Sequence, residues 1–293
     1  MNILITGGSG FVGRNLVRYF SRQHRVSFSY QHSRCESDLC SMAVPIPMDV
    51  RQETATRECI ERLAPEAVIH IAGNKNVRQC EMNPREAFAV NAMGVQNVAR
   101  GCRSVGGRMV YLSTDLVFDC KSGGYAETDR PQPSSVYGRT KYEGEQMALA
   151  EVPGAAICRS GGIYGRESPL LFWAGNELRS GREISCLTNV VNTPTYVDNL
   201  AEMIDVILNR HLGGIFHTVG SSPVNRYEFF QEFARTFDLN TTLLRPIASD
   251  EMMRELFLVP NAALRCDRTI GILGIESMSL ERGMRDLKFK GPL

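Results

Sequence analysis

Short apolar runs alternate with longer segments of helical period through the first half of the chain. Residues 2–6 (NILIT) read as a strand and residues 11–22 as the helix that follows. Residues 25–30, 44–48 and 109–112 carry further strand signals, and residues 52–63 and 84–105 carry an apolar stripe on one helical face. Residues 67–72 (AVIHIA) form an uninterrupted apolar run, as expected of a strand buried on both faces. His70 lies inside that run and reads as a packed strand residue. Regular strand–helix alternation predicts an α/β fold built on a doubly wound parallel sheet.

Beyond the sixth strand, residues 155–159, the pattern loosens. Residues 160–165 read as a loop, 170–180 as a short helix, and 192–200 lead into a helix reaching 210. Residues 214–219 form another strand signal, and helices are expected near 227–237, 250–256 and 280–287. Phe229, Phe230, Phe233 and Phe237 recur at helical spacing and read as core. The expected division is a first domain over 1–158, with helix 197–210 and strand 214–219 returning to it. A smaller C-terminal lobe would comprise 159–196 and 220–293.

Composition narrows the function classes. The chain has 293 residues, 43% apolar and 22% charged, with a net charge of +1. That is ordinary for a globular protein and gives no reason to expect nucleic acid or an acidic membrane surface. No apolar run approaches the roughly 20 residues of a membrane span, and the N-terminus reads directly into a strand, which points to a cytoplasmic protein. The nine cysteines are scattered, without a C-x-x-C pair; free thiols and no metal site are expected.

The candidate chemistry begins at residues 7–13, GGSGFVG. Following a strand and opening a helix, this glycine pattern predicts a Rossmann-type dinucleotide site. Small residues let the backbone approach a pyrophosphate, and the helix N-terminus supplies N–H groups and a positive dipole. The second strand ends at Tyr30, Gln31, His32, Ser33 and Arg34, without the acid that commonly holds an NAD ribose. A basic tip suits a 2′-phosphate, so Arg34 is assigned to NADP(H), with NAD(H) also open and a solvated loop arginine as the alternative. Asp49 and Val50 fall where an adenine edge would lie, and Ile71, Ala72 and Gly73 are placed along the cofactor.

A second constellation spans residues 113–145. Ser113 and Thr114 stand at the C-terminal tip of a strand, the ligand side of a parallel sheet. Tyr137 and Lys141 lie four apart on the next helix and share a face. A nearby ammonium lowers a phenol's pKa, so Tyr137 would exchange a proton with a carbonyl oxygen held by Thr114 while a hydride arrives from elsewhere. Taken alone, the Y-x-x-x-K spacing fits a surface helix equally well; the upstream nucleotide-binding pattern favours the chemical reading.

With GGSGFVG, Asn91, STDLVFD and Y-x-x-x-K in this order, the chain resembles the extended short-chain dehydrogenase/reductases. The stretch STDLVFD…GGYAETDRPQPSSVYGRTKYEGE is similar to the dTDP-4-dehydrorhamnose reductase branch, with its S-T-D-Y-V-F-x-G, E-x-D and Y-G-x-T-K-x-x-G-E. TPTYVDNLA and VPNAAL…LGI fit that branch too. The resemblance implies a catalytic trio of Thr114, Tyr137 and Lys141. It implies a cofactor site that includes Gly7, Gly10, Phe11, Val12, Gly13, Asn91, Ser113, Tyr137 and Lys141. Substrate contacts would come from Thr114, Asp115, Phe118 and Gly162. Two residues depart from the pattern: Leu116 replaces the family tyrosine after S-T-D, and Gly162 falls where the family has tryptophan. The expected activity is NADPH-dependent reduction of a keto group on a nucleotide-activated deoxysugar, the substrate partner being a nucleotide sugar, with a homodimer as an open arrangement. FHTVG…YEFFQEFA…LRPI…PNAAL also resembles the regulatory beta subunits of methionine adenosyltransferase. The alternative is therefore a non-catalytic, NADP-binding regulatory subunit.

Overall fold

Ile3, Leu4 and Ile5 are fully buried. Ile3 and Ile5 enter one core and Leu4 the other, because successive strand side chains point to opposite faces. The strand Asn2–Thr6 (β1) is therefore central, and the computed structural model, which describes residues 1–31 and 37–291, builds a sheet outward from it. The remaining strands are β2 Arg25–Tyr30, β3 Val44–Pro47, β4 Ala67–His70, β5 Arg108–Thr114 and β6 Ala156–Tyr164. They are followed by β7 Ile184–Leu187, β8 Val191–Asn192, β9 Pro194–Tyr196, β10 Gly214–His217, β11 Val224–Asn225 and β12 Leu244–Ile247.

Eight strands form the main sheet in the order β10-β6-β5-β4-β1-β2-β3, with β9 also on β6. Every pairing within it is parallel. The expected doubly wound Rossmann-type α/β fold is present. Helices Phe11–Phe20 and Val197–Asn209 cover one face. Helices Glu53–Leu63, Gly94–Ser104 and Val136–Glu151 cover the other. The strand order reverses between β1 and β4, and the crevice outside their carboxyl ends is where such sheets take ligands.

The remaining segments form a smaller packed layer. Helices Pro169–Arg179, Arg226–Thr236 and Leu280–Phe289 bury Leu171, Phe229, Phe230, Phe233 and Met284 together. Two small sheets, β7 with β12 and β8 with β11, stitch this layer.

Several expectations need correction. The sixth strand does not end at residue 159; β6 continues to Tyr164 because β9 pairs with it at Gly161 and Tyr164. The helix expected over 84–105 is interrupted by a π-helical turn, Ala89–Met93, which carries Asn91. A short helix, Val77–Met82, arises in a polar stretch without clear periodicity, capped by the Asn76 side chain. Among the described residues seven cysteines are free thiols and Cys40 is disulfide-bonded, so the expectation of free thiols throughout does not hold. Among the described residues no helix is long and apolar enough to cross a membrane.

Candidate functional site

The glycine loop is folded by close backbone approach. Gly7 has φ of +69°, a left-handed conformation, and its carbonyl accepts from Gly10 N at 3.1 Å. Ser29 at the end of β2 anchors the loop: its Oγ accepts from Gly7 N at 3.1 Å and its carbonyl from Gly8 N at 2.9 Å. A Cβ on Gly13 would overlap the Gly7 carbonyl and the Gly8 backbone. Gly10 caps the helix Phe11–Phe20 with no side-chain hydrogen bond. The first N–H groups of that helix therefore remain available to an anion.

These residues form one wall of a cleft of about 760 Å³. Gly7, Gly10, Phe11, Val12 and Gly13 line it, as do Val50, Ile71, Ala72, Gly73 and Asn91. Thr6 holds the loop after β4, its Oγ1 accepting from Ile71 N at 3.2 Å and Ala72 N at 3.3 Å. Asn91 pins the next residues: Oδ1 accepts from Asn74 N at 2.8 Å and Nδ2 donates to Asn74 O at 3.0 Å. Nδ2 also donates to Thr140 Oγ1 at 3.2 Å, tying this loop to the Tyr137 helix. Sequence reasoning did not assign Ser29, Tyr30, Gln31, Met48, Asn74, Lys75 or Gln79, which also line the cleft. Their signal was position alone: all but Gln79 end a strand or lie in the loop after one, and Gln79 stands on the short helix Val77–Met82 that follows.

Ser113, Thr114, Tyr137 and Lys141 line the same cleft. Ser135 caps their helix by accepting from Gly138 N at 3.0 Å. A Cβ on Gly138 would overlap Leu116 O, so this glycine lets the helix close onto the β5 tip. Thr114 Oγ1 donates to Asp115 Oδ1 at 2.9 Å and accepts from Leu116 N at 3.2 Å. The Thr114 side chain also lies close enough to the Tyr137 phenol to favour its ionised form.

The electrostatics differ from the expectation that Lys141 lowers the Tyr137 pKa. Burial pushes the Tyr137 phenol well above its usual value, only partly opposed by Thr114, and Asp115 adds to the rise. Lys141 Nζ donates instead to Leu112 O at 2.7 Å and sits 4.1 Å from the centroid of the Tyr111 ring. Burial brings the Lys141 ammonium down to about 7, against the attraction of Glu145. Burial likewise raises the Asp115 carboxyl to about 7, opposed by hydrogen bonds from Thr114 and the backbone. His70 is a buried strand residue beneath this group, held by Thr6 Oγ1 at 2.7 Å and stacked on Tyr111.

Asp115 and Gly162 also line the cleft. Phe118 does not: it is 1% exposed, stacked on Tyr125 with centroids 4.5 Å apart, and 5.2 Å from the Arg159 guanidinium. The substrate role given to Phe118 is thus replaced by a core role, because the turn after Asp115 directs its ring inward. Asp49 lies beside the cleft in a depression of about 430 Å³ that shares Gln31 and Met48 with it. Its carboxylate is bound by Arg51, with Nη2 2.6 Å from Oδ2. Arg34 lies outside the described residues.

Comparison with known proteins fits this geometry. Methionine adenosyltransferase 2 subunit beta from Bos taurus is 28% identical over 284 residues, covering 92% of this chain and 82% of that protein. The dTDP-4-dehydrorhamnose reductase of Mycobacterium tuberculosis (strain ATCC 25618 / H37Rv) is 29% identical over 260 residues, covering 86% of this chain and 81% of the enzyme. The crystal structure of dTDP-4-dehydrorhamnose reductase from Bacillus anthracis str. Ames in complex with NADP superposes with a TM-score of 0.87, at 23% identity and 99% coverage of both chains. The family model described as RmlD substrate binding domain matches residues 1–287. The chain therefore belongs to the RmlD substrate binding domain family, within the extended short-chain dehydrogenase/reductases.

Proposed function

We propose that this protein is an NADPH-dependent reductase of a keto group on a nucleotide-activated deoxysugar. The observation that carries the reading is the convergence of Thr114, Tyr137 and Lys141 on the cleft that the glycine loop also lines. The uncapped helix N-terminus and the small residues facing it suit a dinucleotide pyrophosphate. Arg34, at the basic tip that follows β2, favours the 2′-phosphate of NADP over NAD. When bound, NADPH supplies the hydride.

The residues of the chain do the rest. Thr114 holds the substrate oxygen, and Tyr137 gives it a proton. A phenol raised by burial is fully protonated at neutral pH, the state in which a proton donor must wait. Lys141 holds the nicotinamide ribose and, once turned toward it, stabilises the phenolate that forms. Asn91 and Ser113 keep the two loops in place. Residues 1–158, with the helix and strand over 197–210 and 214–219, form the cofactor domain, and residues 159–196 and 220–293 form the sugar lobe.

A second reading rests on a specific observation. The Lys141 ammonium is engaged by Leu112 O and the Tyr111 ring and is not among the groups that shift the Tyr137 pKa. Together with the similarity to methionine adenosyltransferase 2 subunit beta, this fits a cofactor-binding regulatory subunit without turnover. The deciding experiment is a turnover screen of purified protein with NADPH and a panel of dTDP- and UDP-linked 4-keto sugars. The reductase reading expects oxidation of NADPH with at least one of them. Tight NADPH binding, inertness across the panel and co-purification with a partner enzyme would overturn it.

A further inference from the structure

Val136 opens the helix that carries Tyr137, and its N–H is one of the first-turn donors that have no partner within a helix. Ser135 caps a different donor, Gly138 N, at 3.0 Å. The Val136 N–H is met from outside: it donates to Glu81 Oε1 at 2.6 Å, on a residue 55 positions away in the sequence. A carboxylate there also faces the positive end of the helix dipole. Glu81 belongs to the short helix Val77–Met82. Its neighbour Cys80 is fully buried and packs with Ala87 and Val136 against the Tyr137 side chain. The same segment forms part of the cleft wall through Asn74, Lys75 and Gln79. It is itself held in place: Cys80 Sγ donates to Asn74 O at 3.5 Å, and the Asn76 side chain accepts from Gln79 N at 3.0 Å. Glu81 therefore links a wall of the cleft to the turn on which the phenol is mounted.

We propose that Glu81 is a positioning residue for the proton transfer: its carboxylate fixes the first turn of the Tyr137 helix and so holds the phenol on the cleft wall that it shares with Thr114. This deepens the reductase reading and rests on it. Tyr137 is the second residue of its helix, in the turn that the Val136 bond ties down. A shift of about 1 Å in a reacting group can cost about 10²-fold in rate. A contact that never touches substrate can thus act on the chemical step through Tyr137. The role needs an acceptor oxygen at the Val136 N–H, and the negative charge strengthens it through the dipole.

The test is single-turnover oxidation of bound NADPH by the dTDP- and UDP-linked 4-keto sugars, read well below the melting temperature of each protein. Wild type is compared with Glu81→Met, which keeps the length and removes the acceptor, and with Glu81→Gln, which keeps an acceptor oxygen and removes the charge. Glu81→Met should slow the step roughly ten- to a hundredfold, the fold-change that corresponds to one hydrogen bond to a charged group. The sugar concentration for half-maximal rate and the NADPH affinity should hold, because Glu81 is not among the residues lining the cleft. Glu81→Gln should recover most of the loss, and Glu81→Ala is the second variant should the methionine perturb folding. A variant lacking the acceptor that melts lower but, while folded, reduces the sugar as fast as wild type overturns the inference and leaves the reductase reading intact. Weaker sugar binding with an unchanged rate constant overturns it too. Wild-type protein that oxidises NADPH with no sugar of the panel overturns the reductase reading, and this inference with it.

Discussion

Arg159 and Glu145 form an ion pair in which neither side chain reaches solvent: Nη2 lies 2.7 Å from Oε2, with exposures of 1% and 0%. Arg159 Nε donates to Oε1 at 3.0 Å, and Ser113 Oγ donates to the same oxygen. The pair thus joins β6, the β5 tip and the Tyr137 helix at one point. Removing one partner leaves the other charge buried and unpaired, which costs about 3–5 kcal/mol. Glu145→Gln should lower stability by that order in denaturant unfolding. Arg159→Met combined with Glu145→Met should be closer to wild type than either single variant. A double variant as unstable as the sum of its singles would contradict this account.

The glycine loop separates folding from binding. A Cβ on Gly13 would overlap backbone atoms of Gly7 and Gly8, whereas one on Gly10 comes no nearer than 3.4 Å to Gly7 O. Gly13→Ala should therefore lower the melting temperature, while Gly10→Val should keep it and lose NADPH binding by filling the phosphate's approach. Thermal melts beside NADPH titrations read both. A Gly10→Val protein with wild-type NADPH affinity would move the pyrophosphate elsewhere.

Asp115 gives a pH signature. Burial raises its carboxyl to about 7 from an ordinary value of 3.8. Between those values the folded state binds more protons than the unfolded one, so this group's contribution to stability falls as pH rises from about 4 to about 7. Asp115→Asn removes the titration and keeps an acceptor for Thr114. Its melting temperature relative to wild type should rise progressively between about pH 4 and about pH 7 and level off above that. A difference that is flat with pH would show that the carboxyl is not destabilised by burial.

Tyr137→Phe tests the proton donor with packing nearly preserved. If the protein turns over, single-turnover reduction should slow by about 10²- to 10⁴-fold, the usual size of general acid–base help. NADPH affinity should change little, because the glycine loop and Lys141 remain. A variant that reduces the sugar as fast as wild type would give the proton to another group, with Asp115 on the same cleft wall the next to test.

What the sequence determined by itself was local. Alternating apolar runs and GGSGFVG specify the parallel sheet and the dinucleotide loop, because strand burial and glycine turns are written within a few residues. Tyr137 and Lys141 sharing a face followed from helical spacing alone. Tertiary structure decided what those groups meet. Lys141 found Leu112 O and Tyr111, not the Tyr137 charge, because burial and a strand carbonyl compete for an ammonium in ways no spacing reveals. Phe118 turned into the core, and β6 ran through a predicted loop because β9, some 30 residues later, supplied its partner. The same β9 pairing, Gly161 with Pro194, also set Asn192 against Gly162. Contacts between residues distant in the chain depend on the packing of whole elements, so they become visible only once those elements are assembled.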